Sequence, residues 1–167
     1  MKVVLAQINP TVGALDANSE KIKEIIREYT SRCDLIIFPE MVLTGYPPQD
    51  LLLDDTFIQQ TQEALDGIVA AVKSTAIIVG TIRKENNNLF NTAAVIQDTA
   101  VITYRDKTHL PTYDVFDEVR YFTPSESVEP VEVSVNGKSV KLGLQICEDL
   151  WDDEYDTKVS KSLCSQG

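Results

Sequence analysis

The chain has 167 residues, of which 43% are hydrophobic and 25% are charged, a balance typical of one globular domain or part of one. Its 15 basic and 26 acidic side chains give a formal net charge of -11, which would repel the phosphate backbone of nucleic acid and an anionic membrane surface. No apolar run approaches the ~20 residues that a membrane span needs, and the opening MKVVLAQINP lacks a signal-sequence core, so we expect a cytoplasmic protein that binds neither nucleic acid nor membrane.

The first half of the chain alternates short apolar runs with helical patterns. Residues 2–9 and 35–40 are each predicted to form a buried strand, the second stopped by Pro39. Apolar and small residues then recur at helical spacing, first at Ile22, Ile25, Ile26 and Tyr29, and later at Phe57, Thr61, Leu65, Ile68, Val69 and Val72. Polar side chains near the start of each helix are capping candidates, namely Asp16 and Asn18 for the first and Asp54 or Asp55 for the second.

The second half begins with three predicted strands in close succession. Residues 76–82, 90–97 and 101–106 are apolar runs with short polar connections, which indicates antiparallel pairing. A long stretch without clear periodicity, 107–128, follows them. The pair Asn136-Gly137 then predicts a tight hairpin. Together with the first half, this pattern predicts an α/β layered fold with a mixed sheet.

The last predicted strand carries a cysteine at its end. Four aliphatic residues alternate with other residues, so the thiol of Cys147 is expected on the opposite face of the strand from Val140, Leu142, Leu144 and Ile146. Beyond it, a final helix is predicted from the four-residue spacing of Trp151, Tyr155, Val159 and Leu163. The acidic residues Asp152, Asp153 and Glu154 are typical of a helix start.

Cysteine and histidine usage argues against structural metal or disulfides. The three cysteines, Cys33, Cys147 and Cys164, are odd in number and widely spaced, and His109 is the only histidine. A zinc site would show closely spaced pairs of ligands, and a disulfide framework would show an even number of cysteines. We therefore predict reduced thiols and no metal site.

Three chemically useful side chains each follow a predicted strand: Glu40, Lys107 and Cys147. Each has an ordinary explanation when taken singly, as a loop carboxylate, a surface charge and a small buried thiol respectively. Together they supply a base, a cation and a nucleophile, which is what attack by sulfur on an unactivated carbonyl requires. Their spacing along the chain does not show that they meet in space.

The segments around these residues resemble a known family. FPE, RDKTHLP and ICEDLW resemble the Glu, Lys and Cys motifs of the nitrilase superfamily, and LTGYPPQDLLL and KTHLPTYDVFDEVRYF are similar to the N-terminal glutaminase domain of glutamine-dependent NAD synthetases, from residue 2 to the last residue. The resemblance implies an αββα sandwich with Glu40 as general base, Lys107 as oxyanion stabiliser and Cys147 as nucleophile. It also implies substrate-binding positions at Tyr113, Glu118 and Glu148.

The resemblance further implies a reaction and its partners. Glutamine would lose its side-chain amide through a cysteine thioester, without metal or organic cofactor, and the ammonia would amidate deamido-NAD in a synthetase domain that uses ATP and magnesium. Residues 1–167 would then be a partial glutaminase domain, lacking the C-terminal part of the sandwich and the synthetase domain. We expect such a piece to be inactive alone and to form homo-oligomers.

Two other functions stay open at this point. Another nitrilase-type amide hydrolase, such as an omega-amidase or a carbamoyl hydrolase, would share Glu40, Lys107 and Cys147. A non-catalytic module would instead be built on the acidic run EDLWDDEYD, whose carboxylates suit divalent cations, although the run lacks the glycine and spacing of a calcium loop.

Overall fold

The computed structural model describes residues 1–167 and contains seven strands and three α-helices. The strands are β1 (Val3–Leu5), β2 (Leu35–Ile37), β3 (Ala76–Glu85), β4 (Asn88–Gln97), β5 (Ala100–Asp106), β6 (Val131–Val135) and β7 (Lys138–Leu142). The helices are α1 (Leu15–Tyr29), α2 (Asp55–Val69) and α3 (Val159–Ser165), and short 3-10 turns cover Gln49–Leu53, Glu118–Arg120, Cys147–Leu150 and Asp152–Glu154. None of the helices has the length and hydropathy that a membrane span requires.

Five strands form one sheet in the order β1-β2-β3-β4-β5, and the sheet is mixed, as predicted. The first three strands are parallel, and β3, β4 and β5 are antiparallel. The turn from β3 to β4 places Asn86 and Asn87 at positive φ, which asparagine tolerates better than most residues. The three consecutive strands predicted over 76–106 are confirmed.

Two apolar cores lie on opposite faces of this sheet. One face packs against α1 and α2, with Ile22, Leu65 and Ile77 among its buried residues. The other face packs against the hairpin β6–β7, as Val133 and Ile78 show. The predicted hairpin is confirmed, and its turn residues Asn136 and Gly137 both have positive φ.

A further helix, α3, packs on the outer side of the chain just after the hairpin. Leu142 and Leu144 belong to the core between the sheets, so the intervening Gly143 faces away from it. Leu163 of α3 lies 3.5 Å from the position that a Cβ on Gly143 would take. The layers are therefore helix, sheet, sheet, helix, in agreement with the predicted αββα sandwich.

The first strand is shorter and more exposed than the prediction over 2–9. In the register of β1 with β2, Val3 and Leu5 pair with Leu35 and Ile37, so they face the hairpin side of the sheet. The hairpin does not reach that far, and Leu5 is 75% exposed. The strand predicted over 35–40 is likewise limited to β2.

The helix starts were predicted correctly for α2 and wrongly for α1. Asp54 caps α2 by accepting a hydrogen bond from the backbone N–H of Thr56. Asn18 is not a cap, because it lies inside α1 and its side-chain amide donates to the carbonyl oxygens of Thr11 and Leu43. Asp16 lies in the first turn of α1, where a negative charge interacts favourably with the helix dipole.

The end of the chain departs most from the prediction. The strand predicted up to Cys147 ends at Leu142, and Cys147 begins a 3-10 turn instead. The predicted final helix is limited to α3, because Lys158 donates from Nζ to the carbonyl oxygens of Asp152 and Asp153 and holds that stretch in a separate 3-10 turn. Trp151, expected on the helix face, is exposed.

Candidate active site

Glu40 lies on a tight turn that leaves the end of β2. The turn crosses directly over Gly80 of β3, where an added Cβ would come within 2.2 Å of the carbonyl oxygen of Pro39 and 2.7 Å of the Cα of Glu40. Met41, the next residue, has a φ of 46° and is fully buried. Glycine at position 80 therefore allows the backbone approach that places Glu40, and an isolated glycine inside an apolar strand is the sequence signal that would have pointed to it.

Lys107 is a completely buried cation between two carboxylates. It directly follows β5, and its Nζ donates to Oε1 of Glu40 at 2.8 Å and to both carboxylate oxygens of Glu118 at 2.9 Å. Burial alone would lower the pKa of Lys107, but the charges of Glu40 and Glu118 outweigh burial and raise the pKa above its ordinary value. The lysine is therefore held as a fixed positive charge, and its interpretation as a surface residue is wrong.

Glu118 is buried as well, although the stretch that carries it has no periodic pattern. A 3-10 turn brings it back to Lys107, and the hydroxyl of Tyr46 donates to its Oε1 at 3.1 Å. Burial raises the pKa of Glu118 above its ordinary value, although Lys107 opposes the shift. Glu118 is therefore a buried acid of the site and not an exposed loop residue.

Asn91 of β4 completes this cluster, and it was missed from the sequence. Its side-chain amide donates to Oε1 of Glu40 at 2.7 Å and lies 3.4 Å from Oε2 of Glu118. The signal that would have found it is a polar residue at an inward position of a strand whose other inward residues, Ala93 and Val95, are apolar.

Cys147 stands beside these charges at a strained backbone position. Its φ is 45°, a region that residues with a Cβ rarely adopt, and its side chain is accessible to solvent. Cys147 and Glu40 line the same cavity of about 140 Å³. Burial and the Glu40 carboxylate raise the pKa of the Cys147 thiol above its ordinary value, while Lys107 opposes them. The resting sulfur is thus a thiol that needs a base to become a nucleophile.

One buried carboxylate joins the lysine segment to the cysteine turn. Asp149, which has no solvent exposure, accepts hydrogen bonds from the backbone N–H groups of Thr108 at 3.0 Å and His109 at 2.9 Å. Its other oxygen accepts from the backbone N–H of Ile146 at 3.2 Å and from the guanidinium of Arg105 at 3.3 Å. Asp149 therefore fixes the position of the residues around Lys107 relative to those around Cys147.

Glu148 is held by two tyrosines next to the thiol. Tyr113 donates to one carboxylate oxygen at 2.8 Å and Tyr155 to the other at 2.9 Å. The ring of Tyr155 stacks on His109 with 3.9 Å between centroids. Burial and the bond to Glu148 raise the pKa of Tyr155 to about 12, and the bond to Glu148 also raises the pKa of the exposed Tyr113. Both tyrosines are therefore hydroxyl donors at neutral pH.

The arrangement has the parts for thiol attack on an amide. The structure brings Glu40, Lys107 and Glu118 into direct contact, places Cys147 in the cavity that Glu40 lines, and puts Tyr113 and Glu148 in contact with each other beside it. No group of three or more histidine, cysteine, aspartate or glutamate side chains lies where it could hold a metal ion. The acidic run is spread over two 3-10 turns, which counts against the divalent-cation module.

Comparisons with known proteins agree on the family. The chain is 42% identical over 161 residues to a glutamine-dependent NAD(+) synthetase of Synechocystis sp., covering 91% of this chain and 28% of that protein. It is 41% identical over 152 residues to the enzyme of the same name from Aquifex aeolicus, covering 90% of this chain and 26% of that protein. The chain thus spans little more than a quarter of the length of these relatives.

Solved structures show the same fold. The glutamine-dependent NAD+ synthetase from Acinetobacter baumannii superposes with a TM-score of 0.83 at 32% identity, over 96% of this chain and 30% of that one. An amidase from Nesterenkonia sp. superposes with a TM-score of 0.72 at 20% identity, over 90% of this chain and 56% of that one, and this likeness is one of fold alone. The family described as carbon-nitrogen hydrolase matches residues 2–161, and the chain therefore belongs to the carbon-nitrogen hydrolase family.

Proposed function

We propose that this chain is the glutamine-hydrolysing part of a glutamine-dependent NAD synthetase. The observation that carries the proposal is the buried contact of Lys107 with Glu40 and Glu118 beside the cavity of Cys147. Relatives at about 40% identity over most of this chain carry that enzyme name. The glutaminase and a synthetase domain would be parts of one longer protein, and the synthetase domain would use ATP and magnesium to amidate deamido-NAD with the released ammonia.

The first half of the proposed reaction forms a thioester. Glu40 takes the proton from the sulfur of Cys147 as the sulfur bonds to the amide carbon of glutamine. The amide oxygen becomes an oxyanion, and Lys107 stabilises its negative charge. The carbon–nitrogen bond then breaks, and the nitrogen leaves as ammonia with the proton that Glu40 returns to it.

The second half releases glutamate. A water molecule gives a proton to Glu40 and attacks the thioester carbon, and Lys107 stabilises the second oxyanion. The carbon–sulfur bond breaks, the thiolate recovers a proton from Glu40, and the carboxylic acid product ionises to glutamate. No metal ion or organic cofactor enters either half of this scheme.

The substrate contacts are proposed from the groups around the thiol. Glu148 is a negative charge held in place by Tyr113 and Tyr155, so it is suited to the α-ammonium group of glutamine. Glu118 is proposed to act mainly on Lys107, which it contacts through both oxygens. An amide hydrolase of another specificity would not need a carboxylate at Glu148, and assays on amides without an α-ammonium group distinguish the two.

The test compares two sources of nitrogen in the full-length protein. NAD formation from deamido-NAD, ATP and magnesium is measured with glutamine and, separately, with ammonia. Cys147→Ala is expected to abolish the glutamine-dependent reaction and to leave the ammonia-dependent reaction intact, whereas Cys164→Ala, at an exposed position of α3, serves as the matched control. Normal glutamine use by Cys147→Ala would contradict the proposal.

A further inference from the structure

We propose that Asn91 is a positioning residue that fixes which oxygen of Glu40 takes the proton of Cys147, an inference that rests on the function proposed above. The side chain of Asn91 is almost fully buried on the face of β4 that is turned toward the cysteine. It touches Glu40 and Glu118, the two carboxylates that contact Lys107. It does not line the cavity in which Cys147 lies.

The two carboxylate oxygens of Glu40 have different surroundings. Oε1 accepts a hydrogen bond from Nζ of Lys107 at 2.8 Å and another from Nδ2 of Asn91 at 2.7 Å. Both hydrogen bonds that the chain donates to this carboxylate go to Oε1, and none goes to Oε2. An oxygen with two short donors has little capacity left for a third, whereas Oε2 keeps its lone pairs free. The geometry therefore assigns proton transfer to Oε2, and Asn91 together with Lys107 holds the carboxylate in the orientation that presents it.

The orientation of the Asn91 amide is set by charge. If the amide were turned over, its oxygen would face the carboxylates of Glu40 and Glu118, and like partial charges would repel. With the nitrogen toward the carboxylates, the amide oxygen is left buried without a hydrogen-bond partner. An unpaired buried oxygen costs free energy, so the bond to Glu40 is the interaction that outweighs this cost.

Asn91 is also tied to Lys107 through the backbone. The N–H of Lys107 donates to the carbonyl oxygen of Asn91 at 2.8 Å, one step beyond the pairing of Thr92 with Asp106. This backbone bond survives a side-chain substitution, so changing Asn91 removes the donor to Glu40 without releasing Lys107 from the sheet.

A neutral donor adds no charge to a site that already has one cation and two carboxylates. A lysine or arginine at this position would change that balance.

The test uses the full-length protein and two variants that remove the donor. Asn91→Leu keeps the branched shape of the side chain without its polar atoms, and Asn91→Ser keeps a polar but shorter side chain. Both are expected to lower kcat for glutamine by about tenfold to a hundredfold while KM changes less than about threefold, because the base and not the substrate site is disturbed. The alkylation rate of Cys147 by iodoacetamide is expected to fall in parallel, and ammonia-dependent NAD synthesis is expected to stay unchanged.

The matched control is Thr81→Val. Thr81 is a fully buried residue of β3 that pairs with Thr92, on the opposite face of the sheet from Asn91, and its hydroxyl has no hydrogen-bond partner. Its kcat and alkylation rate should match those of the unaltered protein, even if its melting temperature shifts.

Several outcomes would overturn the inference. An unchanged kcat and alkylation rate in folded Asn91→Leu and Asn91→Ser would remove Asn91 from the mechanism. A rise in KM with normal kcat would make Asn91 a substrate-binding residue instead. Should Asn91→Leu unfold, Asn91→Ser decides alone, with rates taken per folded molecule. If Cys147→Ala and Glu40→Gln retain glutamine hydrolysis, the proposed function itself fails, which is a separate result.

Discussion

At the scale of single residues, Cys147 carries the reactive thiol and also has a strained backbone conformation. A left-handed φ brings the Cβ close to the following carbonyl group, and only residues without a Cβ adopt it freely. This backbone conformation turns the chain sharply at the start of the 3-10 turn and leaves the thiol accessible to solvent. Such a position is consistent with a functional site, where strain is maintained by the surrounding structure.

This strain predicts a difference between two inactive variants. Cys147→Gly and Cys147→Ala both lose the sulfur, but only glycine relieves the unfavourable φ. We expect Cys147→Gly to have a free energy of unfolding higher than Cys147→Ala by about 1 kcal/mol, measured as the shift in urea midpoint. Equal midpoints would mean that the position is unstrained in solution.

A second residue-scale prediction concerns the buried cation. Lys107→Met is expected to lower the rate of glutamine hydrolysis by a factor of roughly a hundred or more, because the oxyanion loses the cation that stabilises it. It is also expected to destabilise the protein by about 3–5 kcal/mol, since Glu40 and Glu118 are left facing each other without a positive charge. The stability cost follows from burial, which was not visible in the sequence.

A double variant separates the two effects of Lys107. Lys107→Met combined with Glu118→Gln removes one of the facing carboxylates, so it should regain part of the stability and none of the activity. Thermal unfolding and glutamate release measure the two effects separately. Recovery of activity in the double variant would contradict the role proposed for Lys107.

The raised pKa of Glu118 gives a prediction with a defined sign. Because the folded protein holds this proton more tightly than the unfolded chain, Glu118 favours folding at low pH, and the benefit is lost as pH rises from the ordinary carboxyl pKa of 4.5 through the raised folded value. Glu118→Gln has no carboxyl group at this position, so its stability does not fall with pH for this reason. Its free energy of unfolding relative to the unaltered protein should therefore increase with pH across that window in a series of urea titrations, and a flat difference would contradict the shift.

Two residues of the site leave a signal in the sequence that does not reveal their role. Gly80 and Asn91 interrupt apolar strands, but only the structure shows that one lies under the turn of Glu40 and the other donates to it. The residues Glu40, Lys107 and Cys147 were found because each follows an apolar run and lies in a motif of the family. The sequence shows directly which residue types these are. Which other side chains orient them depends on the three-dimensional fold.

At the scale of elements, Asp149 connects the segment after β5 to the turn after β7. Asp149→Asn keeps the size of the side chain but leaves Arg105 buried without its carboxylate, at a cost of about 3–5 kcal/mol. Activity per folded molecule should also fall, because Lys107 and Cys147 lose the link that sets their relative position. Asp153→Asn, at an exposed acid of the same run, is the control that should change neither melting temperature nor kcat.

The elements that periodicity predicted well are those held by apolar packing. Strands β3 and β4 lie between two cores, so their burial matches the apolar pattern of the sequence. The stretch 107–128 could not be predicted, because contacts such as Glu118 with Lys107 set its course. The strand prediction through 147 was wrong for a similar reason: Asp149 accepts from the backbone of Ile146 and draws the chain into a 3-10 turn. Polar contacts of this kind leave no periodic signal.

At the scale of the whole molecule, the layer order followed from the family resemblance, but the coverage of the sheet did not. The hairpin covers the strands β2, β3 and β4 on one face and leaves the same face of β1 open, with Leu5 exposed. The free edge of β7 also presents unpaired backbone groups, since β6 is its only partner. Uncovered apolar surface and free strand edges favour association with another chain.

We therefore expect the 167-residue chain, produced by itself, to self-associate through the open face of β1. Leu5→Asn should shift the population toward monomer in size-exclusion chromatography with light scattering, because it replaces the most exposed side chain of that face with a polar one. Leu53→Asn changes an equally apolar exposed residue of the 3-10 turn before α2, and it should leave the association unchanged. A monodisperse monomer at micromolar concentration, before any substitution, would show that the exposed face of β1 is tolerated in water and that the sheet needs no further cover.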